Sequence, residues 1–242
     1  SHRKQVKLEL GALLNFFDLA DRVGLQLPED SQSIRERILK YEFDVNSSGP
    51  IDSWPPTELL SFMGIVQHYS IPTRLLDWTR DPLTAADFAA KDSSHISRSS
   101  VSHIAIWALH TSVFRALEEE RYNSAKVRGD LGSEDKIPPG LFRVTAPSNA
   151  NKKLLAQKAL FSLYRHNEAK PDFSEPLEKQ IEQIIEYEDG TGSPVVNFTL
   201  PASESPRLLY LLAYNGIDAS TVDPSYEGVM EAMRERELWD IP

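Results

Sequence analysis

Between Pro72 and Pro82 the chain cannot continue a helix, and that interruption organises the sequence around it. Pro72 disfavours helical geometry at Ile71, so the apolar pattern Leu59, Leu60, Met63, Val66, opened by Thr57 as its cap, ends near His68-Tyr69-Ser70. Pro82 lacks an N–H at the first helical position, where none is needed, and Asp81 before it suits an N-cap. A second helix follows through Leu83, Ala86, Phe88 and Ala89. The connection, "QHYSIPTRLLDWTRDP", crowds a His, a Tyr, an Arg, an Asp and a Trp between His68 and Trp78. Its apolar pair flanked by charges predicts an ordered turn over Thr73 to Thr79, with Leu75 and Leu76 buried and Arg74 bonded to a nearby acid.

The rest of the chain mixes two periodicities. Lys7 to Val23 is helical in pattern, with Leu10, Leu13, Leu14, Phe17 and Ala20 on one face, and Gly24 stops it. Ser33 to Tyr41 reads as a short helix, Asn46 to Pro56 as a loop, and "SSHISRSS" as another loop. Val101 to Leu109, "GLFRVTAP" and "PVVNFTLP" read as strands. Thr111 opens a helix. Glu118 to Gly140 is charged and reads as a solvated helix end plus loop, or as a flap. Lys153 to His166 fits helix and strand equally. Ser174 to Tyr187 and "SPRLLYLLAYNG" are helical, the latter stopped by Asn215-Gly216, and Asp223-Pro224 opens a last helix to about Leu238. There is no internal repeat. The expectation is an α+β fold in a single domain over 1–242, with a helical part over 9–90 and strands and helices completing the sheet and core over 101–242.

Composition closes off several chemistries. No cysteine is present, which excludes disulfides, thiolate metal sites and a Cys nucleophile, and fits a reducing, cytoplasmic setting. No HExxH occurs, and His95 and His103 are spaced across a polar stretch, so no metal site is expected. Neither GxxxxGK[ST] nor GxGxxG nor GxSxG is found. The formal net charge is -10, a poor match to non-specific nucleic-acid binding, which needs clustered Lys and Arg. No apolar run is long enough to span a membrane. The opening "SHRKQVKLELGALL" carries no signal-peptide pattern and reads as if entering a helix directly, so an upstream start is expected.

The residues of the connection admit two readings each. His68 at a helix C-terminus can interact with the last carbonyls, or turn into a cleft. Tyr69 can pack half-buried with a satisfied hydroxyl. Arg74 and Asp77, three apart, can pair as a clamp, or Arg74 can offer its planar fork to a phosphate or carboxylate. Trp78 can pack in a core or stack on a flat ring. Taken together, these side chains on one turn read as the lining of a ligand pocket.

The stretch "QHYSIPTRLLDWTRDPLTAADFAA" resembles the signature of the FRG domain, "QHYGxPTRLLDWTxxPLxALxFA". "KLLAQKALFSLY" is similar to the family's "RIxAQxGxF" segment, and "NGIDASTVDPSYEGVMEAM" to its "GIxxSxxFPxxxG" segment, so the likeness runs from roughly Glu9 to Met233. Ser70 and Ala159 stand where the family has Gly, and the [FY]RG motif, which lies upstream of the family's first helix, is expected before Ser1. Through a likeness to ADP-ribosyltransferase-like folds, the resemblance implies a small mixed or antiparallel split sheet that grips NAD, used as substrate with no metal. His68 and Tyr69 would then orient the nicotinamide ribose and ring. Arg74, Asp77 and Trp78 would shape the cofactor side, and Gln157 would donate to the substrate amide. Glu227 would stabilise an oxocarbenium-like transition state or activate the acceptor, its other reading being a solvated acid in the first turn of a helix. The implied activity is an ADP-ribosyltransferase or NAD glycohydrolase with a macromolecular acceptor, in a bacterial toxin or phage-defence setting. The alternative is a non-catalytic ligand-binding or protein-interaction module.

Overall fold

In the computed structural model, residues 2–27, 30–32, 34–36, 38, 40, 54–95, 102–112, 140–145, 151–165, 195–237 and 239 are described. Helix α1 (His2–Arg22) comes first. A 3-10 turn, Thr57–Leu59, leads into α2 (Leu60–His68), and β1 (Leu75–Thr79) and α3 (Pro82–His95) follow. Then come β2 (His103–Leu109), β3 (Gly140–Val144), α4 (Lys152–Ala156), β4 (Ala159–Arg165) and β5 (Val195–Pro201). The chain closes with α5 (Ser205–Tyr214), α6 (Ala219–Val222) and α7 (Tyr226–Glu237). This is an α+β arrangement with two small sheets, one in the order β1-β4-β3 and one pairing β2 with β5. The β2–β5 and β3–β4 pairs are antiparallel. Among the described residues no helix is long and apolar enough to cross a membrane.

The chain forms two compact units whose segments interleave: 1–76, 111–147 and 161–184 in the first, 77–110, 148–160 and 185–242 in the second. In the first unit α1 packs on α2 and α2 on β3. Val6, Leu10 and Leu13 of α1 are buried, as are Phe62, Met63 and Val66 of α2 and Leu141 and Val144 of β3. Each such side chain removed from water contributes about 1.5–3 kcal/mol. In the second unit α3 packs on α5 and β2, and α7 on α6 and α5. Ala90, Ile104 and Leu209 form a buried cluster there, flanked by Leu200, Leu208 and Trp239.

Several expectations change. Thr73 to Thr79 is a strand for most of its length rather than a turn; Leu75 is buried and Leu76, pointing to the opposite face, is 41% exposed. Asp81 does bond the N–H of Leu83 at 2.9 Å and cap α3. However, Leu83 and Phe88 face out, and Thr84, Ala86, Asp87 and Ala90 face in. Helix α3 also runs on through "SSH" to His95. Thr57 is not a cap; Pro56 precedes the 3-10 turn with no side-chain bond. The ambiguous stretch resolves into both forms, α4 and then β4, with Lys158 at the junction in a left-handed conformation at φ 48°. The expectations for 41–53, 96–101, 113–139 and 166–194, including the helix over Ser174 to Tyr187, lie outside the described residues.

The end of the second unit depends on one close approach. Asp218 caps α6 through a reciprocal box, accepting from the N–H of Thr221 at 3.1 Å while Thr221 Oγ1 accepts from the N–H of Asp218 at 3.0 Å. Ser225 Oγ accepts from the N–H of Gly228 at 3.2 Å at the start of α7. A Cβ at Gly228 would lie 1.9 Å from the Asp223 carbonyl oxygen and 2.8 Å from that of Ala219. Backbone cannot yield there as a side-chain tip would. Gly228→Ala is therefore expected to lower stability by about 1–3 kcal/mol. Gly11→Ala, in exposed helix with nothing within 4 Å, is expected to raise it by about 0.5–1 kcal/mol. Urea midpoints of the two variants moving in the same direction would contradict this packing.

Candidate functional site

The turn after α2 is tied down by its own polar side chains. Tyr69 and Ser70 close the helix with N–H bonds to the carbonyls of Ile65, Val66 and Gln67. Ser70 takes φ 63°, a left-handed conformation costly for a residue with a Cβ. Gln67 Oε1 accepts from the backbone N–H of Thr73 at 3.0 Å and from its hydroxyl at 2.9 Å. The same hydroxyl oxygen accepts from the N–H of Leu75 at 3.1 Å. Gln67 and Thr73 thus staple the loop across Pro72, leading the chain into β1.

Arg74 has its partner in α1. Glu9, buried at 8% exposure, accepts from the backbone N–H of Arg74 at 2.9 Å through Oε1 and from Arg74 Nε at 2.8 Å through Oε2. Arg74 Nη2 is also 2.8 Å from Oε2, a charge contact without the alignment of a hydrogen bond. The indole N–H of Trp54 completes the set, donating to Oε2 at 2.7 Å. The ion pair predicted for Arg74 therefore exists, but its acid is Glu9, sixty-five positions upstream, rather than Asp77. Sequence reasoning passed over Glu9, Gln67, Thr73 and Trp54. The signal for Glu9 was present: an acid beside Leu10, on the edge of the apolar face of α1.

His68 and Tyr69 form an aromatic ledge in the same unit. Tyr69 is 58% exposed. Its ring stacks on Phe16 with centroids 6.2 Å apart and 28° between planes, and the His68 ring meets it edge-on at 5.7 Å. Phe16 and Phe17 each pack on Phe62 at 5.8 Å, and Arg35 lies over the Phe17 ring at 5.0 Å. A half-exposed ring held from behind by other rings is a surface on which a flat group can stack.

The remaining candidates belong to the second unit. Asp77 and Trp78 lie in β1, Asp77 exposed and Trp78 half-buried. Gln157 caps the C-terminus of α4, and its carbonyl accepts from the Thr79 hydroxyl at 2.7 Å. The Arg80 N–H donates to the Lys158 carbonyl at 3.2 Å, and the Lys158 ammonium bonds Asp81. Glu227 sits exposed in the first turn of α7, and hydrogen bonds from its own backbone and from Ser225 hold its carboxyl below the ordinary range. It borders an open cleft of about 550 Å³ with Lys91, Asp223, Tyr226, Met230 and Arg234. Gln157 does not line that cleft.

Asp87 is a polar group that sequence reasoning missed. It is 1% exposed, and neither carboxylate oxygen has a hydrogen-bond partner. Burial pushes its carboxyl up to about 6; the charges of Glu235 and Asp218 add to the effect and Lys91 opposes it. Glu235 is likewise raised by burial; its Oε2 accepts from the Ala219 N–H at 3.3 Å and its Oε1 lies 3.7 Å from Lys91 Nζ. Folded, Asp87 keeps its proton up to about 6, while the ordinary carboxyl loses it near 3.8. The folded chain binds more protons in that window. The stabilisation is therefore complete below 3.8, falls as pH rises toward 6, and is lost above it. At about 1.36 kcal/mol per pH unit the total is about 3 kcal/mol. Asp87→Asn is expected to remove most of this slope in unfolding free energies measured across the window; parallel curves for the two chains would contradict the buried, unpartnered carboxyl.

The sequence model of the FRG domain family matches residues 18–98. The match takes in the whole turn from His68 to Trp78 and the helices on either side of it, and leaves out Glu9, Gln157 and Glu227. No curated protein and no solved structure matches the chain. With the signature turn inside the matched span, residues 18–98 of the chain carry an FRG domain.

Proposed function

We propose that this FRG domain protein binds an adenine or nicotinamide nucleotide on the Tyr69 ledge, with NAD as substrate and ADP-ribosyl transfer to a macromolecular acceptor as the reaction. The observation that carries the reading is the Tyr69 ring, 58% exposed, backed by Phe16 and flanked by His68. A base or nicotinamide ring can stack there, and the imidazole beside it can donate to or accept from a ribose hydroxyl. In the reaction the bond between nicotinamide and the ribose C1′ breaks, nicotinamide leaves, and an acceptor nucleophile bonds to C1′. The acidic chain disfavours holding a nucleotide by diffuse charge, so affinity must rest on a few placed groups. Arg74, engaged by Glu9, is in this reading a positioning residue that holds the ledge rather than a ligand to phosphate. Toxin or phage-defence action is the setting in which such a transferase would work.

A second reading, a recognition module without catalysis, is favoured by one observation. Gln67, Thr73 and Arg74, the polar residues of the signature turn, are all bonded within the fold. Calorimetry with NAD, ADP-ribose and nicotinamide, together with an assay of free nicotinamide, separates the two. Binding weakened about tenfold or more by Tyr69→Ala, as loss of a base–aromatic stack worth ~1–3 kcal/mol predicts, with nicotinamide released, supports the transferase. The same binding without release supports the recognition module. No binding of any of the three at millimolar concentration overturns the nucleotide reading.

A further inference from the structure

Helix α7 carries two faces that differ in what covers them. Gly228, Ala232 and Glu235 are buried against the second unit. On the other side Tyr226, Val229, Met230 and Met233 are between 47% and 89% exposed. Their spacing is i, i+3, i+4 and i+7, which lines side chains along one stripe of a helix. A solvated helix face carries charges in those positions. Tyr and Met are residues that interface cores favour, and Met in particular adapts to a partner's shape.

The edge of the stripe is charged in a specific order. Glu227 and Arg234 are both exposed. Seven residues apart, they differ by only about 20° around the helix, so they lie on the same edge, the acid near the N-terminal end and the base near the C-terminal end. Glu227 is held ionised by Ser225 and its own backbone N–H. Arg234 contacts Glu231 at 3.0 Å with its own side chain 66% exposed, so it can exchange that partner at little cost.

We propose that this stripe is a docking face for a second copy of the chain, with α7 of one copy packed antiparallel on α7 of the other about a twofold axis beside Met230 and Glu231. An isologous contact requires a surface that is its own complement. A twofold axis between positions 230 and 231 brings Glu227 of each copy opposite Arg234 of the other, so both pairings form on one edge while the stripes close over each other. An unrelated partner would have no need of this internal symmetry. One helix pair buries less than the ~800 Å² per partner of a stable complex, so the dimer is weak, with dissociation in the roughly micromolar range or above.

Sedimentation of the chain from low to several hundred micromolar tests this. A concentration-dependent dimer is expected. Met230→Glu, folded by circular dichroism, should weaken it at least about tenfold. Arg234→Glu should also weaken it, by placing like charges opposite each other on the shared edge, and adding Glu227→Arg to that variant should restore it. This charge swap stands as the test even where Met230→Glu fails to fold. A chain monomeric throughout the range, a dimer indifferent to these substitutions, or a double swap that does not restore association overturns the proposal.

Discussion

The buried carboxylate of Glu9 is the interaction on which the signature turn depends. Isolated in the first unit it would be strongly unfavourable, because a charge out of water must be repaid by partners. Glu9 has three: the Arg74 guanidinium, the Arg74 backbone N–H and the Trp54 indole. Each comes from a different level of the chain. The guanidinium neutralises the charge. The backbone N–H fixes where β1 begins. The indole brings the chain at Trp54 onto α1. Breaking a buried pair by removing one member leaves an uncompensated charge, which costs about 3–5 kcal/mol.

From that anchor the local geometry follows. With Arg74 held, Thr73 is placed for Gln67 Oε1 to staple it, and the loop between must turn back within Tyr69 to Pro72. Ser70 makes that turn at φ 63°, the conformation that explains why the FRG signature carries Gly at this position. Tyr69 is left projecting from the helix end, supported by Phe16. The ledge on which the functional reading rests is therefore a consequence of the turn's polar bonds rather than of any residue that would itself touch a ligand.

Local signals were legible and distant ones were not. The break at Pro72, the cap at Asp81, the stop at Asn215-Gly216 and the strands at 103–109 and 195–201 follow from chemistry within a few residues. Leu76 was misplaced because facing depends on what an element packs against, and in β1 only Leu75 is buried. Spacing offered Asp77 as one partner for Arg74 because it reveals only neighbours in sequence, and Glu9 lies far upstream in α1. Asp87 gave no sign among the alanines of "TAADFAA", since burial of an acid is a tertiary fact. The capping box at Asp218 could have been read from "DAST", where a Thr follows the Asp by three.

The most direct measurement is a double-mutant cycle on Glu9 and Arg74, using Glu9→Met, Arg74→Met and the double variant in urea unfolding. If the carboxylate anchors the turn, each single change leaves a buried charge and is costly, while the double change removes both charges. The double variant should then lose less than the sum of the singles, with a coupling of about 1–3 kcal/mol. Additive losses, or single variants that unfold at the midpoint of the unaltered chain, would contradict the account.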